Sequence, residues 1–200
     1  MKTVCLCTIV LGIFGLGIIA VLAHQDNPVP TGHKSEGPVR STPGENPWNQ
    51  GQAPEDWWGE IKRMHGHVGP WNVLGWRIGQ AALREFETEW GRHELDIICY
   101  IPMKTPYSCM ADGLVIGTGN CIGRLDIRLA EVMSLDLIHI AIRRKDGGGP
   151  VLILRPRSEY LKRIENRTVQ ELENLSQQCR IMKESDLFRI ERLMSSKTKE

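Results

Sequence analysis

No C-x-x-C pair occurs among the cysteines beyond the N-terminus, Cys99, Cys109, Cys121 and Cys179, and no ferredoxin-type cysteine run is present. Their spacing therefore matches neither a zinc finger nor a small disulfide scaffold. Charge of one sign is also missing: 25 Lys and Arg stand against 24 Asp and Glu, and Lys2 belongs to the N-terminal run. A balanced surface lacks the basic footprint of a nucleic-acid binder, so no nucleic-acid partner is expected. No internal repeat and no cofactor fingerprint can be found.

The first 23 residues differ from the rest. Lys2 precedes an uncharged apolar run from Val4 to Ala23, and the chain turns polar at His24-Gln25-Asp26-Asn27-Pro28. A basic start, an apolar stretch and small residues at Val21 and Ala23 fit a signal peptide cut after Ala23. The run is also long enough to span a bilayer, so an uncleaved signal anchor fits nearly as well. In both readings the domain is exported, and membrane contact, through residues 4–23 alone, follows only if the segment stays uncleaved. Cys5 and Cys7 lie inside this run. Residues 24–54 are rich in Pro, Gly, Ser and Asn and poor in large apolar side chains, the composition of a disordered tether. About 145 residues follow from Glu55, enough for one domain with one core. The last residues, 196–200, read as a disordered tail.

Within that domain, Glu55 to Met64 reads as a short helix carrying Trp57, Trp58 and Ile61. A second helix is expected from Trp71 to Trp90, started by Pro70 and ended by Gly91. On it Gly75, Gly79, Ala82, Phe86 and Trp90 form one narrow stripe whose small end permits close packing. Glu94 to Ile101 is apolar on both faces, as for a strand inside a sheet. Ser108 to Thr118 reads as a helix capped by Ser108 and stopped by Gly119. Strands are expected at Leu125–Leu129, Leu135–Ile142 and Val151–Leu154, the last two joined by a hairpin at Asp146–Pro150. Arg155–Ile181 is amphipathic, one or two helices, and Asp186–Met194 alternates. The order implies a compact single α+β domain, N-terminal helices first, then a mostly antiparallel sheet with C-terminal helices.

Two segments carry candidate chemistry, His65-Gly66-His67-Val68-Gly69-Pro70 and Ser108-Cys109-Met110-Ala111-Asp112-Gly113. Imidazole nitrogen and thiolate sulfur are donors that zinc and similar metals prefer. His65 and His67 share a face if the backbone between them is extended. The helix N-terminus after Pro70 disfavours protonated imidazole. Cys109 stands at a helix start, where thiolate is stabilised. Asp112, three residues on, shares its side; it is a candidate to orient an imidazole, and equally a residue that only caps the helix or faces solvent. Cys121 lies in a tight loop that would bring its sulfur near Cys109. Cys99 and Cys179 read as structural.

These residues resemble a known family. His65-Gly66-His67-x-Gly69-Pro70, Cys109-x-x-Asp112-Gly113 and Thr118-Gly119-x-x-x-Gly123-Arg124 are similar to motifs of the FmdE-like family, named after a component of formylmethanofuran dehydrogenase. Ser185-Asp186-Leu187-Phe188-Arg189-Ile190 resembles its closing strand, so the likeness spans roughly Asp56 to Met194. It implies a compact α+β domain, a homodimer, and zinc or a similar divalent transition metal. The family pattern has a cysteine where Gly69 stands, and one where Asn120 stands, with Cys121 one place later. The chain also lacks the C-terminal zinc ribbon of some relatives, and export sets it apart from a working part of a cytoplasmic methanofuran enzyme.

The leading expectation is a metal site of His65, His67 and Cys109, with Cys121 or water as the fourth ligand. Two other readings compete. One is a zinc-dependent enzyme acting on a small one-carbon or carbonyl substrate, with Asp112 as proton shuttle. The other is a non-catalytic interaction module stapled by a Cys109–Cys121 disulfide.

Overall fold

The structure, a computed structural model, describes residues 53–194 apart from Asn166, and not the side chain of Val169. The signal peptide or anchor, nearly all of the tether and the tail at 196–200 lie outside the described residues. Among the described residues no helix is long and apolar enough to cross a membrane.

Helix α1 spans Trp57–His65, and Asp56 caps it by accepting from the Gly59 backbone N–H at 2.9 Å. Helix α2 spans Pro70–Glu85, with Pro70 in its first turn, where a missing N–H costs nothing. Trp57 stacks on Trp76 at 3.9 Å between ring centroids, which fastens α1 to α2.

Helix α2 ends five residues before the expected Trp90. Glu87 takes a left-handed backbone (φ 49°). Its N–H donates to the Arg84 carbonyl, and the Thr88 N–H donates to the Leu83 carbonyl at 3.0 Å. That paired closure normally uses glycine at the left-handed position; here glutamate takes it. Trp90 still reaches helix α3 (Cys109–Thr118), because its indole N–H donates to the Ile116 carbonyl at 2.8 Å.

The sheet has the order β2-β1-β3-β4-β5, built from β1 (Leu95–Ile101), β2 (Ile127–Glu131), β3 (His139–Arg144), β4 (Val151–Pro156) and β5 (Phe188–Leu193). β1 lies inside the sheet, parallel to β2 and antiparallel to β3; the remaining pairs are antiparallel. A parallel pair needs a crossover, and α3 supplies it between β1 and β2. Helices α4 (Ser158–Ile164), α5 (Val169–Ile181) and the short α6 (Glu184–Leu187) separate β4 from β5. The α+β arrangement expected from the sequence is the one observed.

Two strand expectations shift. The strand placed at Leu125–Leu129 begins at Ile127, because a 3-10 turn at Ile122–Arg124 runs into Leu125 with φ 59°. The run Leu135–Ile142 divides into a 3-10 turn at Leu135–Leu137 and β3, since the Ile138 N–H closes back on the Leu135 carbonyl at 3.2 Å. Apolar alternation alone does not distinguish such turns from strand.

The core joins Leu95, Ile97, Cys99 and Ile101 of β1 to Ile140 and Ile142 of β3, Leu152 and Leu154 of β4, and Leu74, Ile78 and Leu114 of the helices. Each such side chain contributes about 1.5–3 kcal/mol on burial. Between α2 and α3 the approach is backbone on backbone. A Cβ at Gly75 would overlap the Met110 carbonyl, and one at Gly113 the Asn72 carbonyl. A Cβ at Gly79 would stand 2.9 Å from the Thr118 methyl, and one at Gly117 2.8 Å from the Trp76 carbonyl. The small stripe on α2 thus does what its composition implied, with a matching pair of glycines on α3.

Candidate functional site

His65 is the last residue of α1, and Gly66 caps it in a left-handed conformation (φ 92°), its N–H donating to the Lys62 carbonyl at 2.8 Å. The reversal brings the His65 and His67 rings to 4.8 Å between centroids. An extended backbone was the expected route to that proximity; a helix cap achieves it instead. His67 is exposed, and Gly69 and Pro70 then lead into α2.

Asn72 joins this segment to the second one, and no sequence motif singles it out. It is fully buried. Its side-chain oxygen accepts from the Gly69 N–H at 2.9 Å, and its side-chain nitrogen donates to the Cys109 carbonyl at 2.9 Å. The signal available was its place three residues into a helix opened by Gly-Pro, where a short amide can reach back to the cap.

Ser108 was expected to cap α3. Its backbone is already helical (φ −63°, ψ −20°) and its hydroxyl makes no cap bond. Cys109 is buried, 8% exposed. Burial pushes its thiol above the ordinary range, the Asp112 charge adds to that, and its own backbone N–H opposes them. The expectation of a thiolate favoured by the helix start is thus reversed for the free side chain, because desolvation outweighs the N–H.

Asp112 faces His65. The Nδ1 of His65 meets the Asp112 carboxylate at 2.7 Å across 47 positions of sequence. With the proton on Nδ1 and donated to Asp112, the Nε2 lone pair points away from the carboxylate. That is the arrangement found behind metal-ligating imidazoles. His65, His67, Cys109 and Asp112 are therefore brought to one end of the α2–α3 pair. Among the described residues, however, no three or more His, Cys, Asp or Glu side chains are grouped closely enough to hold a metal ion.

Cys121 is not part of this region. The ten residues of α3 rise about 15 Å, and Cys121 follows its far end, beyond Gly119. Cys121 as fourth ligand, and the Cys109–Cys121 staple, both fail on that distance, since a disulfide needs Cα atoms within roughly 7 Å. Cys99, Cys109, Cys121 and Cys179 are all free thiols. Cys121 instead touches a different cluster. Its N–H donates to Asp126 at 3.4 Å, and His93 meets the same carboxylate at 2.8 Å, with Lys145 on the other oxygen. Asp126 is fully buried and these partners satisfy it.

A helical layer locked to a five-stranded mixed sheet, with a His–Asp pair and a buried cysteine where α1, α2 and α3 meet, defines a small α+β domain built around that junction. The family model described as "FmdE, Molybdenum formylmethanofuran dehydrogenase operon" matches residues 64–200, and the chain belongs to the FmdE family. The matched region begins one residue before His65 and includes both segments. No curated protein matches the chain.

Proposed function

We propose that this protein is an exported FmdE-family domain that binds one divalent transition metal, zinc by donor preference, through His65, His67 and Cys109. Export rests on the apolar run Val4–Ala23. The observation that carries the metal reading is the His65–Asp112 contact, which orients one ring nitrogen and frees the other. The donor chemistry fits zinc: two imidazoles and a sulfur. Filling the site requires the exposed His67 ring to swing toward Cys109 and the Cys109 thiol to lose its proton.

Gly69 sets the character of such a site. A Cβ there would lie 3.7 Å from His67 Nε2. The cysteine that the family pattern has at this position would thus approach the same metal, and glycine leaves the place to water. Three protein ligands and an open position is the layout of catalytic zinc, and bound zinc supplies Lewis-acid polarisation.

Metal analysis tests the reading. The purified protein, free of polyhistidine tag and chelator, is expected to hold near-stoichiometric metal, and His67→Ala and Cys109→Ser each to lower it without unfolding the chain. A metal-free, folded wild type that ignores added zinc overturns it.

A further inference from the structure

Among the described residues nearly every arginine is matched to a carboxylate. Arg77 and Arg84 share Glu184, Arg128 and Arg143 share Asp96, and Arg155 and Arg189 share Glu191. Among those same residues Arg157, Arg163 and Arg180 make no ion pair, and Arg180 is laid over Trp57 and Trp58 instead. The other two line one surface cavity of about 450 Å³ beside α4 and α6. That volume suits a small ligand.

Both guanidinium groups are fixed by neutral acceptors. Arg157 Nε donates to the Ser185 carbonyl at 3.1 Å, and Arg163 donates to the Gln178 side-chain oxygen at 2.9 Å. Such anchoring orients a planar fork without cancelling its charge, which leaves donors for a carboxylate or phosphate. Two acids share the lining. Glu159 is exposed, and its own backbone N–H, the Ser158 hydroxyl and the charges of Lys162 and Arg157 hold its carboxyl below the usual range. Asp186 has the Ser185 hydroxyl at 3.5 Å and makes no ion pair among the described residues. Tyr160 is buried with its hydroxyl donated to the Pro70 carbonyl, and Met182 adds apolar surface.

We infer that this cavity binds a small zwitterion of the α-amino-acid class, its acidic group on Arg157 and Arg163 and its ammonium on Asp186. A plain anion would meet the like charge of Asp186, and a plain cation would meet two guanidinium groups; a zwitterion satisfies both. Only Tyr160 touches the His65–Cys109 region, through Pro70; Arg157, Arg163 and Asp186 lie outside it, so the inference stands apart from metal binding.

Calorimetric titration of the full-length chain with the standard α-amino acids tests it. At least one is expected to bind, with N-acetylation and carboxyl amidation each weakening it tenfold or more. Arg157→Gln and Arg163→Gln should weaken it to the same degree. Asp186→Asn should weaken the free amino acid tenfold while strengthening its N-acetyl form, which has only the carboxylate to be repelled. The ligand derivatives need no variant, so a misfolded mutant cannot mask the result. Absence of binding by every amino acid overturns the inference. So does binding of inorganic phosphate or acetate to the wild type as tightly as any amino acid, which would mark a simple anion site.

Discussion

Asp112 and His65 meet at 2.7 Å although α1 and α3 contribute one residue each and 47 positions separate them. A carboxylate at that distance favours the tautomer with its proton on Nδ1. Asp112→Asn keeps the shape and removes the charge. Zinc affinity is expected to fall about 10- to 100-fold, the usual effect of losing such a partner, with the unfolding midpoint little changed. Competition against a chromophoric chelator reads the affinity. An unchanged value would remove Asp112 from the site.

Gly69 has φ −102°, open to any L-residue, and the nearest atom to an added Cβ is Asn72 Oδ1 at 3.4 Å. Gly69→Cys should therefore fold and supply a second sulfur. Zinc should bind more tightly in the variant than in the wild type. Cobalt substitution should show stronger sulfur-to-metal charge-transfer absorption. A variant that folds and binds no better would place the metal elsewhere.

The α2–α3 contact gives a stability prediction. Gly75→Ala and Gly113→Ala each drive a methyl into a backbone carbonyl and should cost upward of about 1–3 kcal/mol. Gly79→Leu should overpack against Gly117 and Thr118 to a similar or greater degree. Gly123→Ala, where an added Cβ meets nothing within 4 Å, should stay within about 0.5 kcal/mol of wild type. Urea denaturation curves separate the two groups. Equal midpoints would show that the helices do not meet backbone to backbone.

Thiol chemistry sorts the cysteines. Cys121 is half-exposed, whereas Cys99, Cys109 and Cys179 are buried. Burial raises the Cys99 thiol to about 12 and the Cys179 thiol to about 11. In native protein at pH 8, iodoacetamide should modify Cys121 well before these three, as peptide mass spectrometry would show. Rapid alkylation of Cys99 would contradict the core assignment.

The same burial links Cys99 to pH. Its folded pKa lies above the unfolded value near 9, so the folded state keeps a proton that the unfolded chain loses. The stabilisation is complete below pH 9 and falls as pH rises toward 12. Between pH 9 and 10 the wild type should lose roughly 1 kcal/mol more than Cys99→Ala, measured by denaturant titration at each pH.

What the sequence made legible follows from how local each signal is. Pro70 opens α2 and Gly119 closes α3 because those residues act on their own backbone. The end of α2 was hidden, since Glu87 occupies a conformation for which glutamate gives no cue. The donor types of His65, His67 and Cys109 were readable in order, and helical spacing put Asp112 on the side of Cys109. The Asn72 bridge spans 37 positions and leaves no periodic trace. Cys121 was misplaced because twelve residues look short until ten of them become a straight helix.

The glycine contact between α2 and α3 has a further bearing on the family. Main chain touches main chain there, with no side-chain layer between that a substitution could repack. The frame that carries the His65 and Cys109 segments is therefore indifferent to the side chains at its rim. Residues at its rim can change without disturbing the junction. A lineage built this way would alter its ligand chemistry one rim residue at a time and leave the fold unmoved.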